Sequence, residues 1–450
     1  MAAIASASLV KTPHFSKLQL LPLLTAIAVS LPGASHGKDA PPGFLPLFNG
    51  HNLEGWRGGE TFDPRKYSSL PPEDRAKQDA EWSADMAKHW RAEGNELVND
   101  GQGKYATTVK DYGDFELLLE YKTVPKADSG VYLRGCPQVQ IWDYTDEARF
   151  KHGADKGSGG LWNNSPGTPG KDPLVRADKP FGEWNQLRIV MVGSRVSVWL
   201  NDQPVVKHAL LENCYDRKTP VPARGPVQLQ THGGEIRWRN LFIREIGCDE
   251  ANRILADHGE TEEFKRIFNG SDLEGWAGFI GNYEVKDGSI VCKPGQGGTI
   301  YFKEQFTNFV ARFEFKLPPG GNNGLAIRYP GEGNTAYVGM CELQVLDSAH
   351  PKYAKLDPRQ FHASAYGMVA AHQGYLHPIG RWNFQEVTVS GSTIRAELNG
   401  TLILDADLSG IAKFLGDKPH PGKDRKAGYF GFAGHDDPVA FRHVDIRALP

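Results

Sequence analysis

Residues 129–143 read S-G-V-Y-L-R-G-C-P-Q-V-Q-I-W-D. Two runs of alternating character flank a Gly-Cys-Pro turn. In the first, Val131 and Leu133 alternate with Tyr132 and Arg134; in the second, Val139 and Ile141 alternate with Gln138, Gln140 and Trp142. Strand side chains point to opposite faces in turn, so this period of two predicts a strand pair with an aliphatic, core-facing side. The other side gathers amides, a guanidinium and two aromatic rings, groups suited to hydroxyls and to the flat face of a sugar. Asp143 falls on the opposite parity, which puts it at the end of the strand. A weaker copy of the stretch, residues 323–347, has Arg328, Gln344 and Asp347 in matching places.

The same alternation marks strands at 115–122, 187–192, 195–200 and 236–243, with hairpin turns at Asn201-Asp202 and Asn399-Gly400. Many short strands, abundant turn residues (51 Gly and 30 Pro) and no strand–helix alternation predict an all-β chain built as a β-sandwich. The chain also repeats itself. LFNGHNLEGW at 47–56 returns as IFNGSDLEGW at 267–276, GEWN at 182–185 as GRWN at 380–383, and His232 as His435, in unbroken order. A chain of 450 residues exceeds one typical domain. The reading is therefore two copies, 38–246 and 264–450, joined by a short helical linker at 247–263. The first copy carries an insertion, 61–90, of helical composition in its latter part. There Trp82 and Met86, at i and i+4, form an apolar stripe for a packing or lid helix.

Residues 1–37 read as a signal peptide. Lys11, His14 and Lys17 precede an apolar run at 18–31, and Gly33, Ala34 and Ser35 follow it. The expectation is a secreted or periplasmic protein without a membrane span after cleavage; an uncleaved anchor is the alternative. Lys+Arg (51) nearly balance Asp+Glu (54), which argues against nucleic acid as partner. Five cysteines match no zinc spacing and are expected mostly free and buried.

The FNGxxLEGW opening, SGVYLRG with QVQIWD, GEWN, WLN, and LQTHG with WRN resemble the 3-keto-disaccharide hydrolase domain family, formerly a domain of unknown function. The resemblance covers nearly all of the chain after the leader, twice. It implies two tandem concanavalin A-like lectin/glucanase sandwiches (jelly rolls). It also implies a hydrolase or lyase that cleaves 3-keto-glycosides after removal of the C2 proton. The partners implied are an oxidised saccharide or glycoside as substrate and a sugar 3-dehydrogenase to make it. No cofactor is called for, and no ligand spacing compels a divalent ion, although related sandwiches carry calcium. The competing class is a non-catalytic, lectin-like carbohydrate binder. A glucanase of the same fold would show an E-x-D-x-E strand, and none is present.

If the strands share one sheet, Glu120, Arg134, Gln140, Gln230 and His232 converge with Tyr132 and Trp142. In that arrangement His232 is base or acid, Glu120 its complement or orienter, and Arg134 polarises the ketone; the alternative is that Arg134 and Glu120 form a structural cross-strand pair. Gln138, Gln140 and Gln230 hold hydroxyls, with Asp143 counted among the substrate-binding residues; Tyr132 and Trp142 stack on the ring or are plain cross-strand neighbours; and His152 and Trp162 cap the cleft from a Gly-rich loop or are simply solvated. The second copy keeps Glu314, Arg328, Gln344, Asp347 and His435. It has Ala326, Leu346, Gly431 and Ala433 where the first has Tyr132, Trp142, Gln228 and Gln230. The principal site is therefore expected in the first copy.

Overall fold

A computed structural model describes residues 38–258 and 263–450. The leader reading of residues 1–37 lies outside the described residues. The strands form four antiparallel sheets, one of eight and one of five strands in each half of the chain. In the first half the larger sheet runs Gln203–Leu210, Arg195–Leu200, Asn185–Val192, Phe115–Thr123, Ile236–Glu245, Glu96–Asn99, Trp90–Glu93, with Leu45–Pro46 beside Ile236–Glu245. The smaller runs Trp56–Gly59, Tyr105–Thr108, Gln228–Leu229, Asp128–Leu133, Cys136–Trp142. The second half repeats the arrangement, with Asn308–Lys316 and Ala440–Leu449 central in its larger sheet. Its smaller sheet is built on Gly428–His435, Asn322–Tyr329 and Cys341–Leu346. This is the all-β double sandwich that the alternation predicts.

Period two explains which side of each strand is dry. Leu117, Leu119 and Tyr121 from the larger sheet meet Val131, Leu133, Val139 and Ile141 from the smaller in one buried cluster. Phe313, Phe315, Leu325, Leu343 and Val345 do the same in the second half. The turn residues behave as their types demand: Asn201 (φ 51°), Asp202 (φ 63°), Asn399 (φ 49°) and Gly400 (φ 77°) take the left-handed backbone of tight hairpins. The 61–90 insertion contains helices Pro64–Ser69 and Pro72–His89, and Trp82 and Met86 are the buried residues of the longer one. That helix packs along edge strand Trp56–Gly59, where Ser83 accepts the Gly58 N–H at 3.0 Å. All five cysteines are free, three of them buried. Among the described residues, no helix is long and apolar enough to cross a membrane.

Helix Cys248–Ala256 follows the first sandwich, and its Ala251 and Leu255 pack with Val190, Val192 and Ile246 against Phe384 of the second half. Around this apolar patch Arg195 forks onto Glu397 at 2.6–3.0 Å, and Ser194 N donates to Gly400 O at 3.0 Å. Gly193 lies in the closest approach: at φ 56°, a Cβ there would fall 2.1 Å from Asn399 O. Gly193→Ala is expected to destabilise the chain by about 2–4 kcal/mol, from left-handed backbone strain plus overpacking. The loss should fall on the contact between halves, so differential scanning calorimetry should resolve one transition into two. A single unshifted transition would contradict this.

Candidate functional site

The outward face of the first half's smaller sheet holds most of the polar residues singled out above. Asp128, Gly130 and Tyr132 share this face with Gln138, Gln140 and Trp142 on the neighbouring strand. The register pairs Asp128 with Trp142 and Gly130 with Gln140. Gln228 stands opposite Tyr132 on the other side, and Gln230 and His232 continue that line. Loops roof the face. Thr61 hydrogen-bonds the Tyr132 hydroxyl at 2.7 Å, and Tyr105 packs edge-on against the Tyr132 ring.

The centre of the site is a residue one position outside the opening stretch. The Asp128 carboxylate is buried and takes His232 Nδ1 on Oδ2 at 2.7 Å and Gln140 Nε2 on Oδ1 at 2.8 Å. Arg149, from the short helical turn Glu147–His152, also donates to Asp128 Oδ2. Gln138 in turn donates to Gln140 Oε1. His232 is 56% exposed at its side chain, and among the described residues its hydrogen bond is made through Nδ1. The hydrogen bond it donates to Asp128 holds its pKa above the ordinary imidazole value, against burial, which lowers it. A histidine fixed at Nδ1 by a buried carboxylate, with Nε2 on the open side, is an oriented acid–base group. Nearby, the side-chain oxygens of Gln138, Gln228 and Gln230 are buried without a protein partner. Buried polar atoms are rarely left so, and these three on one face are acceptors that the described protein groups leave unused.

Several expectations are corrected. Glu120 is not with His232. It lies in the larger sheet, facing outward on the opposite side of the sandwich, bound by Lys38 (2.8 Å) and Arg239 (2.7 Å). Arg239 sits 4.0 Å over the Trp184 ring. Burial raises the Glu120 pKa, but Lys38, Arg239 and Asn240 outweigh it and the net shift is downward. Glu314 repeats this with Arg442 (2.6 Å) and His443 (3.1 Å), and Arg442 lies 4.1 Å over Trp382. Alternation tells which side of its own strand a residue takes, and the sheet that strand joins is a tertiary matter.

Arg134 cannot polarise a ketone. It follows the last residue of strand Asp128–Leu133, and a left-handed backbone (φ 54°) turns it away from the outward face. It is 1% exposed and donates to Gly113 O (2.9 Å), Pro222 O (3.3 Å) and Asp114 Oδ1 (2.8 Å). Arg328, at φ 48°, likewise grips Thr307 O and Asn308 Oδ1. Asp143 and Asp347 are loop clamps, accepting Lys126 N (2.7 Å) and Gly320 N (2.8 Å). Tyr132 and Trp142 are too buried to stack on a ring from solvent. Trp142 donates to Gly157 O at 2.9 Å and meets Trp162 edge-on. Trp162 donates to the backbone oxygen of exposed His152, so these two brace the loop. Gln344 and His435 do lie on the equivalent face of the second half, beside Asn322 and Glu342. Of the predicted set, His232, Gln138, Gln140 and Gln230 come together with Tyr132. Asp128 and Arg149 were missed. Asp128 shares the parity of Tyr132, and an acidic residue within a strand is itself a signal, since strands disfavour it. Among the described residues, no three His, Cys, Asp or Glu side chains gather to hold a metal ion.

A family model described as the 3-keto-alpha-glucoside-1,2-lyase-like domain matches residues 43–244 and 263–447. A 3-keto-disaccharide hydrolase of Bacteroides thetaiotaomicron is 27% identical over 231 residues, which cover 42% of this chain and 80% of that protein. A candidate glycosyl hydrolase of Parabacteroides distasonis of known structure is 22% identical, over 42% of this chain and 96% of that one, with a TM-score of 0.38. The carbohydrate-binding module CBM66 of Bacillus subtilis is 13% identical, over 39% and 96%, with a TM-score of 0.27.

Truncation separates framework from site. Arg134→Ala leaves Asp114 and two carbonyls without their buried donor and is expected to cost about 3–5 kcal/mol in urea unfolding. Gln138→Ala, whose side chain ends in an unpartnered oxygen, should cost far less. Equal losses would contradict the division.

Proposed function

The chain belongs to the 3-keto-alpha-glucoside-1,2-lyase-like domain family. From that membership we propose that it cleaves the glycosidic bond of 3-keto-glycosides at the Asp128–His232 face of the first half. The observation that carries this reading is the hydrogen bond between His232 Nδ1 and the buried Asp128 carboxylate, with Nε2 left open.

A ketone at C3 acidifies the C2 proton. His232 Nε2 takes that proton, and the C2–H electron pair passes to the enolate. The enolate collapses to a C1–C2 double bond as the C1–oxygen bond breaks and the leaving group departs with its electron pair. Protonated His232 is the group that returns a proton to the departing oxygen. Addition of water to the unsaturated sugar makes the net reaction a hydrolysis. Asp128 fixes the imidazole tautomer and favours the imidazolium that forms, as a carboxylate behind histidine does. Arg149, already against Asp128, takes the role expected of Arg134 and donates to the enolate oxygen. The unpartnered oxygens of Gln138, Gln228 and Gln230 accept from the sugar hydroxyls. The ketone itself requires a prior oxidation at C3 by another enzyme.

His232→Ala should lower turnover of a 3-keto-disaccharide by about 10²–10⁴-fold, measured as released sugar, with the unoxidised parent left intact. Binding of the parent sugar without release from the keto form would instead make the protein a lectin-like binder. Asp128 raises the His232 pKa, so protonated His232 persists to higher pH than it would without that carboxylate. The acidic limb of kcat/KM should therefore move to lower pH in Asp128→Asn. The same pair stabilises the fold below the unfolded histidine value, about 6.5, and its contribution is lost as pH rises through the raised folded value. Asp128→Asn should then destabilise the protein more at acidic than at alkaline pH.

A further inference from the structure

The equivalent face of the second half holds a pocket of about 270 Å³. Glu342, Gln344 and His435 line it from the sheet, and Tyr337, Tyr353 and Tyr366 line it from the segments between strands, Tyr337 on the short helix Thr335–Val338. The two smaller sheets share a register: Gly324 pairs with Gln344 as Gly130 pairs with Gln140, so Asn322 corresponds to Asp128 and Glu342 to Gln138. The first half thus places Asp and Gln where the second places Asn and Glu. The carboxylate has crossed to the neighbouring strand, yet the histidine still meets it, His435 Nε2 lying 3.3 Å from Glu342 Oε1. Two details make this a built arrangement. The Glu342 carboxyl is 4% exposed at its side chain and lies flat over Gly324, where a Cβ would stand 2.3 Å from Oε1. Gln344 then donates to Asn322 Oδ1 and Asn323 O, as Gln140 does to Asp128 and Ser129 O.

The aromatic residues missing from this sheet return on the segments between strands. Tyr353 donates to Gly320 O at 2.9 Å, Tyr366 accepts from Gln360 Nε2 at 3.1 Å, and the Tyr337 ring meets Tyr366 edge-on at 6.4 Å. The expectation that the principal site lies in the first copy followed from Ala326, Leu346, Gly431 and Ala433 in the second. Of these four only Leu346 lines the pocket. Among the described residues its lining contains no lysine or arginine, the side chains that would favour a uronic acid or a sugar phosphate. A carboxylate, an imidazole, an amide and tyrosines around a small cavity match a neutral saccharide.

We infer that the second half carries its own binding site for a neutral saccharide, separate from the Asp128–His232 face, with Glu342 and His435 as its polar centre. The choice of a saccharide rests on the reading given for the first half. The test is an equilibrium titration of the full chain with methyl α-glucoside, which has no ketone for the proposed chemistry. Two equivalents per chain are expected. Glu342→Gln, which installs the amide of the first half, should weaken one of them about tenfold or more and leave the other. Tyr337→Ala should act on the same equivalent, with a thermal melt verifying that each variant is folded. One equivalent or none per chain, or two that both survive Glu342→Gln and Tyr337→Ala in folded protein, overturns the inference. Turnover of methyl 3-keto-α-glucoside by the unaltered chain is measured alongside. No turnover with two binding equivalents sinks the catalytic reading and leaves the second site standing. Turnover with a single equivalent does the reverse.

Discussion

A buried guanidinium organises each sandwich. Arg134 and Arg328 are each 1% exposed, and an arginine does not shed its charge when buried. Every donor must therefore find an acceptor. Each side chain reaches from the hairpin of the smaller sheet to the backbone just before the central strand of the larger one, at Gly113 and at Thr307. The left-handed backbone at both positions turns the side chain away from the outward face. Breaking such a set strands a charge in the interior, a cost of several kcal/mol. The two sheets are thereby tied at one corner, and the outward face beside that corner acquires a fixed floor.

On that floor the energetics of a buried carboxylate decide the chemistry. Asp128 in the first half and Glu342 in the second are nearly inaccessible to solvent, and each meets a histidine on the rim. Burial penalises an isolated charge, so a carboxylate held there needs donors. Asp128 has His232, Gln140 and Arg149 around it. The consequence is a histidine whose orientation and protonation are set by the sheet beneath it. The outer faces of the larger sheets carry the other charged sets, Glu120–Arg239–Trp184 and Glu314–Arg442–Trp382. There the same residue types knit a surface. The tryptophans of GEWN and GRWN serve these stacks.

The two halves are packed on each other through helix Cys248–Ala256, Phe384 and the Arg195–Glu397 fork. Gly193 and Gly400 allow the backbones to meet at the hairpin ends, with Ser194 N bonded to Gly400 O. This joins the larger sheets and leaves the outward faces of both smaller sheets free of that contact.

The sequence by itself determined the all-β class, the alternation of dry and wet strand faces, the left-handed turns and the helix bearing Trp82 and Met86. These follow from local periodicity and from backbone conformations that only certain residues tolerate. It also carried the family motifs and brought His232, Gln138, Gln140 and Gln230 to one face. Only the tertiary structure decided which sheet each strand joins, and that moved Glu120 to the far side of the sandwich. A left-handed backbone at the strand's end, invisible to a period of two, turned Arg134 from a candidate catalytic group into a framework group. Asp128 and Glu342 became partners of histidines more than ninety residues away in the chain. Strand alternation is a property of neighbours in sequence, whereas a carboxylate–histidine pair is a property of register between strands that only folding brings together.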